Sequence, residues 1–476
     1  MDKLLSIIAV AVYVALLALV VVRARLAREF VEFSLARRAL TLALVFGSVA
    51  AAYVGPGFSI GFVGRGFKSG FLFWGIGLAY AVQNILVGLL VAPRLRKLEN
   101  CHTLGDAIGQ KYDRKCQILA GNISTGLCAG FASIMANAGG VVLSNILGLP
   151  NWVSVAIVVA ITASYTAFGG LRTSVITDAF QFTLFSILMP ITLLVAIFFH
   201  LKGGAATFAS QAAVATAAGL SSTPPLDLIG LVAAFLLGET LIPPYANRVL
   251  ASKTTSVSRN GFVLAGIYSS AWFMIMVSLG VVARSLIPAQ TKEDHVLLNL
   301  VKLIMPIWGY PLLLVVLMSV IMSSLDSLLN AGAVAFTQDI VKPFTKLTDK
   351  AALNVGRCAT VSIAVVAAVS ATAVPDIITG LLVCYTIWAP AILPVAIIGL
   401  WLRRPRPLAA ILSMSVGTFV AITLQFTPLE KLLSFLTGFI LPSVIKVPAI
   451  ILSLGSALLA YILGHWLDRN KSGTFK

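Results

Sequence analysis

Carboxylates are scarce in this sequence: 17 Asp and Glu stand among 476 residues, against 34 Lys and Arg. Charged residues of both signs make up only 11%, where a soluble domain carries roughly 25%. That excludes an ordinary soluble domain, which needs a polar surface. The five cysteines (Cys101, Cys116, Cys128, Cys358 and Cys384) show no CxxC spacing, and the four histidines (His102, His200, His295 and His465) are scattered. The pattern argues against a disulfide framework and against a metal centre. No low-complexity segment stands out. A net charge of +17 would suit nucleic acid, but basic loops gathered on one membrane side account for it with no nucleic-acid partner.

What the sequence has instead is apolar: 59% hydrophobic residues and a mean hydropathy of +0.99. Runs of about 20 apolar residues recur, the length needed to cross hydrocarbon. Thirteen such spans are predicted near residues 4–22, 40–64, 70–92, 117–147, 151–168, 174–199, 228–246, 261–288, 309–333, 356–374, 377–401, 408–427 and 444–466. The first is too long for a signal-peptide core and no small-residue cleavage pattern follows it, so a retained helix is expected. The chain therefore reads as one all-α polytopic membrane domain, 1–476, rather than as several soluble domains. Assigning alternate loops to alternate sides places 25 of the 34 basic residues on one side, among them Arg37, Arg38, Arg96, Arg172 and Arg248, and 9 on the other. The positive-inside bias then puts the N-terminus outside and the C-terminus in the cytoplasm, in the plasma (inner) membrane. The longest polar stretch, roughly 201–227, ends in Pro224-Pro225 and is expected to join two halves of the protein.

Two spans are interrupted. The first half carries Gly55-Pro56-Gly57 in its 40–64 span, and the second carries Ile242-Pro243-Pro244 in its 228–246 span. Each is the first of five spans, and because five is odd the second set must be inverted relative to the first. Proline and glycine free backbone groups that can then face an ion or a solute. A plain proline kink explains either break alone. Matched breaks in inverted halves point to a secondary transporter with its binding site between them.

Of the 17 acids, only Asp178, Glu239 and Asp326 fall inside predicted spans. Asp326 shares the 309–333 span with Ser323, Ser324 and Ser327, and such spacings crowd oxygens onto one helix stripe. Inside lipid that stripe requires a partner, a cavity or an ion, and oxygen ligands suit a hard cation. Two simpler readings stand beside this one. Asp178 could be a helix N-terminal charge or the partner of Arg172, and Asp326 could be a satisfied structural carboxylate. Glu239, four residues before Pro243, has no basic residue in its own predicted span to pair with.

Four stretches resemble the sodium/solute symporter family. They are Glu29 to Arg38 running into Ala51–Gly61; Ala167-Phe168-Gly169-Gly170-Leu171 through Thr177-Asp178 to Gln181; Met322 to Asn330 ending at Gln338-Asp339-Ile340; and Asn247–Ala251. The resemblance implies thirteen helices and a LeuT-type core of two inverted five-helix repeats (40–199 and 228–401) with discontinuous helices 1 and 6. An extra N-terminal helix (4–22) and two peripheral helices (408–466) complete it. It implies a sodium-coupled symporter, not an enzyme, importing a small organic solute by alternating access. The coupling ion would be Na+, with no organic cofactor, and the chain would work as a monomer in the lipid bilayer.

The same resemblance implies a sodium site built from the carbonyls of Ala51, Val54 and Val320 and the hydroxyls of Ser323 and Ser324. It also implies a second cation or proton site at Asp178, Ser323, Asp326 and Ser327. There Asp326 departs from the hydroxyl residue of two-sodium members, and two carboxylates around one site could instead share a proton. Around the breaks, Tyr53, Phe58, Gln83, Phe131, Phe235, Glu239, Tyr245 and Trp388 are the expected substrate contacts. Each aromatic could equally be packing, and no full aromatic cage is evident. Glu239 falls where some relatives touch substrate, which suggests an ammonium-bearing solute. Three rivals remain: a proton-coupled transporter of the same fold, an intramembrane aspartyl protease, and a transporter-like sensor. The protease's GxGD signature is absent, and the tail from Asp468 to Lys476 is too short for a signalling domain.

Overall fold

The structure is a computed structural model that describes residues 2–24, 26–374, 376–427 and 448–473. Arg25, Lys431, Lys446 and the opening residues of the last predicted span, 444–447, lie outside the described residues. Among those described there is no strand, only a bridge between Leu40 and Ser252. Among the described residues ten helices are long and apolar enough to cross a membrane, or up to twelve if each of two bent helix pairs is one span.

The helices run α1 (Asp2–Ala24), α2 (Phe30–Leu35), α3 (Leu42–Tyr53), α4 (Phe62–Ser69), α5 (Leu72–Leu86), α6 (Ala92–Arg96) and α7 (Leu104–Lys111). The long α8 (Arg114–Leu147) and α9 (Asn151–Val195) follow, then α10 (Gly204–Ser222), α11 (Pro225–Leu237), α12 (Pro243–Ala251) and α13 (Thr255–Ala283). The remainder are α14 (Glu293–Ile304), α15 (Gly309–Ala335), α16 (Asp349–Ser370), α17 (Ile377–Trp401), α18 (Pro407–Phe426) and α19 (Ala449–Gly473). α15 is the centre of the bundle. It is buried on nearly all sides, and it packs on α1, α3, α8, α9 and α16.

Both predicted breaks are present. α3 stops at Tyr53 because Pro56 has no N–H to continue the ladder. The amides of Phe58 and Ser59 instead turn back to the Gly55 carbonyl, both at 3.0 Å, and the helix resumes through a π turn at Gly57–Gly61, bent by 58°. The second break lies slightly earlier than Ile242-Pro243-Pro244. α11 ends at Leu237, Gly238–Ile242 form the turn with Leu241 at φ 55°, and the two prolines open α12. A proline in the first helical turn sacrifices no hydrogen bond, so the pair starts the second half-helix rather than cutting the first.

Other differences have simple causes. The predicted spans 151–168 and 174–199 meet in one run, α9, with a sharp corner at Gly170 (φ 63°, ψ −161°). Only glycine occupies that region readily, and a Cβ there would lie 2.6 Å from the Cα of Phe33. The polar stretch 201–227 is mostly helix α10, because its alanines are strong helix formers; Thr216 accepts a hydrogen bond from the Phe71 amide at 3.0 Å. α14 was not predicted: its charged start hides an apolar face of Val296, Leu297, Leu300, Val301 and Ile304, all buried. Arg248, expected in a basic loop, is wholly buried in α12, so the predicted split is 24 to 9 without it.

Candidate functional site

The two breaks face one cavity of about 30 Å3. Ala52, Gly55 and Phe58 line it from the first break, and Glu239, Ile242 and Tyr245 from the second. Phe131 and Met135 of α8, Ser324, Ser327 and Leu328 of α15, and Leu381 of α17 close the remaining walls.

On the α15 side, Ser324 abuts the first break so closely that a Cβ on Gly55 would lie 2.7 Å from its Oγ. Its hydroxyl makes only a long contact, 3.4 Å, to the Val320 carbonyl. Ser323 donates to Asp178 Oδ1 at 2.6 Å, which uses its one proton and leaves its oxygen lone pairs free. Across from them α3 ends, and a helix end leaves its last carbonyls without ladder partners. Val54 accepts from the Ser59 hydroxyl at 2.6 Å and retains a second lone pair. The expected ligands Ala51, Val54, Val320, Ser323 and Ser324 thus sit on packed neighbours, α3 and α15. They offer neutral oxygens, and that donor set fits Na+.

Asp178, Ser323 and Ser327 also come together, but around a residue the sequence reading left in a loop. The Arg248 guanidinium donates through Nη2 to Asp178 Oδ2 at 2.8 Å and to Ser327 Oγ at 2.5 Å. Its Nε reaches Ser48 Oγ at 2.6 Å and its Nη1 the Pro244 carbonyl at 2.9 Å. Ser48 in turn donates to Asp178 at 2.5 Å. Arg172, the other suggested partner of Asp178, is half-exposed and pairs with Glu32 at 3.5 Å. Asp326 turns the other way and accepts from Tyr165 (3.0 Å), Ser174 (2.8 Å), Thr177 (3.3 Å) and Ser327 (3.1 Å). Among the described residues, no group of three or more His, Cys, Asp or Glu is placed to hold a metal ion.

Glu239 is held without a cation. Tyr80 and Tyr245 donate to its Oε2, the latter at 2.8 Å, and Tyr385 donates to Oε1 at 2.6 Å. Of the expected substrate contacts, Phe58, Phe131, Glu239 and Tyr245 line the cavity. Tyr53, Gln83, Phe235 and Trp388 lie behind its wall. Tyr53 packs edge-on against Tyr245 with centroids 4.4 Å apart, and Phe235 lies 5.7 Å from Phe58. Gln83 and Thr240 side chains meet at 2.7 Å, and Trp388 Nε1 donates to the Thr240 carbonyl at 2.8 Å, which braces the turn carrying Glu239.

The sequence profile of the sodium:solute symporter family matches residues 33–417. The chain belongs to this family. It is 25% identical over 395 residues to a sodium/glucose cotransporter of Vibrio parahaemolyticus, covering 74% of this chain and 71% of that protein. A sodium/pantothenate symporter of Haemophilus influenzae is 24% identical over 335 residues, covering 68% and 69%. Among solved structures, a sodium-coupled sialic acid symporter in a substrate-bound outward-open state, described as revealing a novel sodium site, shares the fold. Its TM-score is 0.82 at 16% identity, covering 97% of this chain and 98% of that one. The transporter Mhp1 of the nucleobase-cation-symport-1 family, closed around bromovinylhydantoin, matches at TM-score 0.62 and 12% identity, covering 92% and 95%. Family and fold together support a multi-pass membrane transporter for which sodium is the coupling ion.

Proposed function

We propose that this chain imports a small neutral or cationic organic solute together with sodium, by alternating access about the cavity between its two helix breaks. The observation that carries the reading is the meeting of both breaks, α3–α4 and α11–α12, at one cavity whose α15 wall includes Ser324, packed against Gly55 of the first break. The architecture is that of thirteen helices in a 5+5 inverted repeat. Its N-terminus is outside and its C-terminus cytoplasmic, and the chain acts as a monomer. Sodium binds first, at the Ala51, Val54 and Val320 carbonyls and the Ser323 and Ser324 hydroxyls, and holds α3 against α15. The solute then meets Phe58, Phe131, Glu239 and Tyr245. When α15 tilts from α3 the ligand set separates and the ion leaves.

Solute class follows from the wall. No Lys or Arg lines the cavity, while Glu239 does. An ionised carboxylate has about four acceptor positions, of which three are occupied by phenols. The fourth suits an N–H or O–H of the solute, and an anion would meet repulsion. One sodium ion falling through 100 mV releases about 2.3 kcal/mol and a tenfold gradient about 1.4 kcal/mol, together sufficient for roughly 500-fold accumulation.

The test is thermal stability of the purified protein with and without sodium, against a panel of sugars, amines, amino acids and carboxylates at fixed pH. Sodium alone is expected to raise the unfolding midpoint, and a neutral or cationic compound to raise it further only with sodium present. No stabilisation by sodium, alone or with any compound, would sink the symporter reading; stabilisation by solute that depends on acid pH instead would favour proton coupling.

A further inference from the structure

The position where a second cation is expected already holds one, and it is covalently part of the chain. All four residues expected to bind a second ion, Asp178, Ser323, Asp326 and Ser327, share hydrogen bonds with one another or with Arg248. The guanidinium is wholly buried and donates to four acceptors from four different elements: Ser48 of α3, Asp178 of α9, Ser327 of α15 and the Pro244 carbonyl of its own α12. Asp326 is not among the four acceptors of the guanidinium; it accepts from Tyr165, Ser174, Thr177 and Ser327, the last of which Arg248 also binds.

We propose that Arg248 is a built-in cation that fills the second position, so that this transporter couples one sodium ion, not two, to each solute. This rests on the symporter reading. The chemistry of the donor set supports it. Asp178 receives three bonds, from Ser48, Ser323 and Arg248, and its charge is neutralised at contact distance. A sodium ion entering among Asp178, Ser323 and Ser327 would have to displace the guanidinium or sit beside it in a buried site, where like charges repel strongly. A planar, always-protonated fork is also better suited than a lysine to hold this position permanently.

The arrangement has a second consequence. Ser323, a ligand of the proposed first sodium site, donates to Asp178, and Asp178 pairs with Arg248, which rests on the Pro244 carbonyl at the second break. Arg248 is therefore a positioning residue that links sodium ligand to solute wall: Ser323, Asp178, Arg248, then the start of α12, whose Tyr245 touches Glu239. Occupation of the sodium site draws on the Ser323 oxygen, and the change reaches α12 through two charge-assisted hydrogen bonds, the strong kind.

The experiment is equilibrium binding of radioactive sodium to the purified full chain, with no solute needed. Wild type is expected to bind one ion per protein with a Hill coefficient of 1, and Ser324→Ala, which alters only the first site, is expected to abolish it. Two ions per wild-type protein, or one ion that survives Ser324→Ala, would overturn the proposal while leaving the symporter reading intact; no sodium binding at all would instead remove that reading. Arg248→Gln is expected to admit a second ion, raising the Hill coefficient toward 2, whereas Arg248→Lys keeps one. An Arg248→Gln protein that folds and still binds a single ion would also count against a guanidinium in the second position. Should Arg248→Gln fail to fold, Asp178→Asn/Arg248→Gln removes both charges and is expected to keep the single, Ser324-dependent ion; loss of that ion in the double variant would contradict the assignment.

Discussion

Two buried carboxylates, Glu239 in the cavity wall and Asp178 behind the α15 wall, are satisfied in opposite ways. Asp178 is neutralised by a guanidinium and bound by two hydroxyls, in a cluster that joins α3, α9, α12 and α15. Glu239 receives three phenolic hydrogen bonds, has no cation among its hydrogen-bond partners, and borders open space. Burying an unpaired charge is costly, so the first arrangement is a finished structure that holds helices in register. The second keeps one acceptor position open and its charge unmet, and a site left in that condition beside a cavity is suited to receive a ligand.

The sharpest way to break the comparison is to remove the guanidinium. Arg248→Met leaves Asp178 buried and unpaired, and losing one partner of a buried pair costs about 3–5 kcal/mol. A fall in thermal unfolding midpoint larger than that of any change at Glu239 is expected. If Arg248→Met unfolds no earlier than Glu239→Gln, the Asp178 cluster is not the structural one of the two.

Next in size is the sodium wall. A ligand at one hundred times its dissociation constant stabilises the fold by about 2.7 kcal/mol. Ser324→Ala should lose that sodium-dependent increment while its stability without sodium hardly changes, since the hydroxyl makes only one long contact. An intact sodium-dependent midpoint shift in this variant would place the ion elsewhere.

Glu239→Gln comes third. The amide keeps the shape but presents an NH2 to at least one phenol, a donor facing a donor, and an unmet buried hydrogen bond costs about 1–3 kcal/mol. The larger effect falls on function: sodium-driven uptake into proteoliposomes of a cationic solute should be lost, and that of a neutral one weakened. Uptake at the wild-type rate for every transported solute would remove Glu239 from the solute wall.

These contrasts also mark what the sequence could reveal. Most of the spans, the break at Gly55-Pro56-Gly57 and the buried Ser323–Ser324 stripe were legible because each is a local signal: an apolar run, a missing N–H, hydroxyls at adjacent positions in an apolar run. Tyr80 and Tyr385 were not, since they are 159 and 146 residues from Glu239 and look like packing aromatics in apolar runs. Arg248 was misread for the opposite reason. It lies just past an apolar run, where basic residues usually gather in loops, and nothing local indicates that α12 tucks it against Asp178. Ser48 carries no signal at all until that pair is seen. The break near Glu239 was misplaced by a few residues because prolines advertise an interruption without saying which side of it they occupy.

A carboxylate pair outside the spanning helices offers the smallest and most gradual effect. Asp294 of α14 lies near Asp376 and accepts only a long bond, 3.4 Å, from the Ile377 amide at the start of α17. Burial, with the Asp376 charge adding to it, pushes Asp294 up to about 6; Glu293 raises it slightly further and Arg65 opposes. With no guanidinium in place and no hydroxyl shell like that of Asp326, this pair answers its charge by holding a proton. Because the folded value lies above the unfolded one of about 3.9, the fold binds more protons than the unfolded chain between those limits, and stability falls as pH rises. The contribution is fully present below about pH 4 and is lost as pH passes about 6. Asp294→Asn should flatten the fall in unfolding midpoint between pH 4 and 7, and Asp376→Asn should move it to lower pH. An unchanged slope in Asp294→Asn would mean that α14 is held against α17 by its apolar face alone, and that the charge of this pair is met by water rather than by a proton.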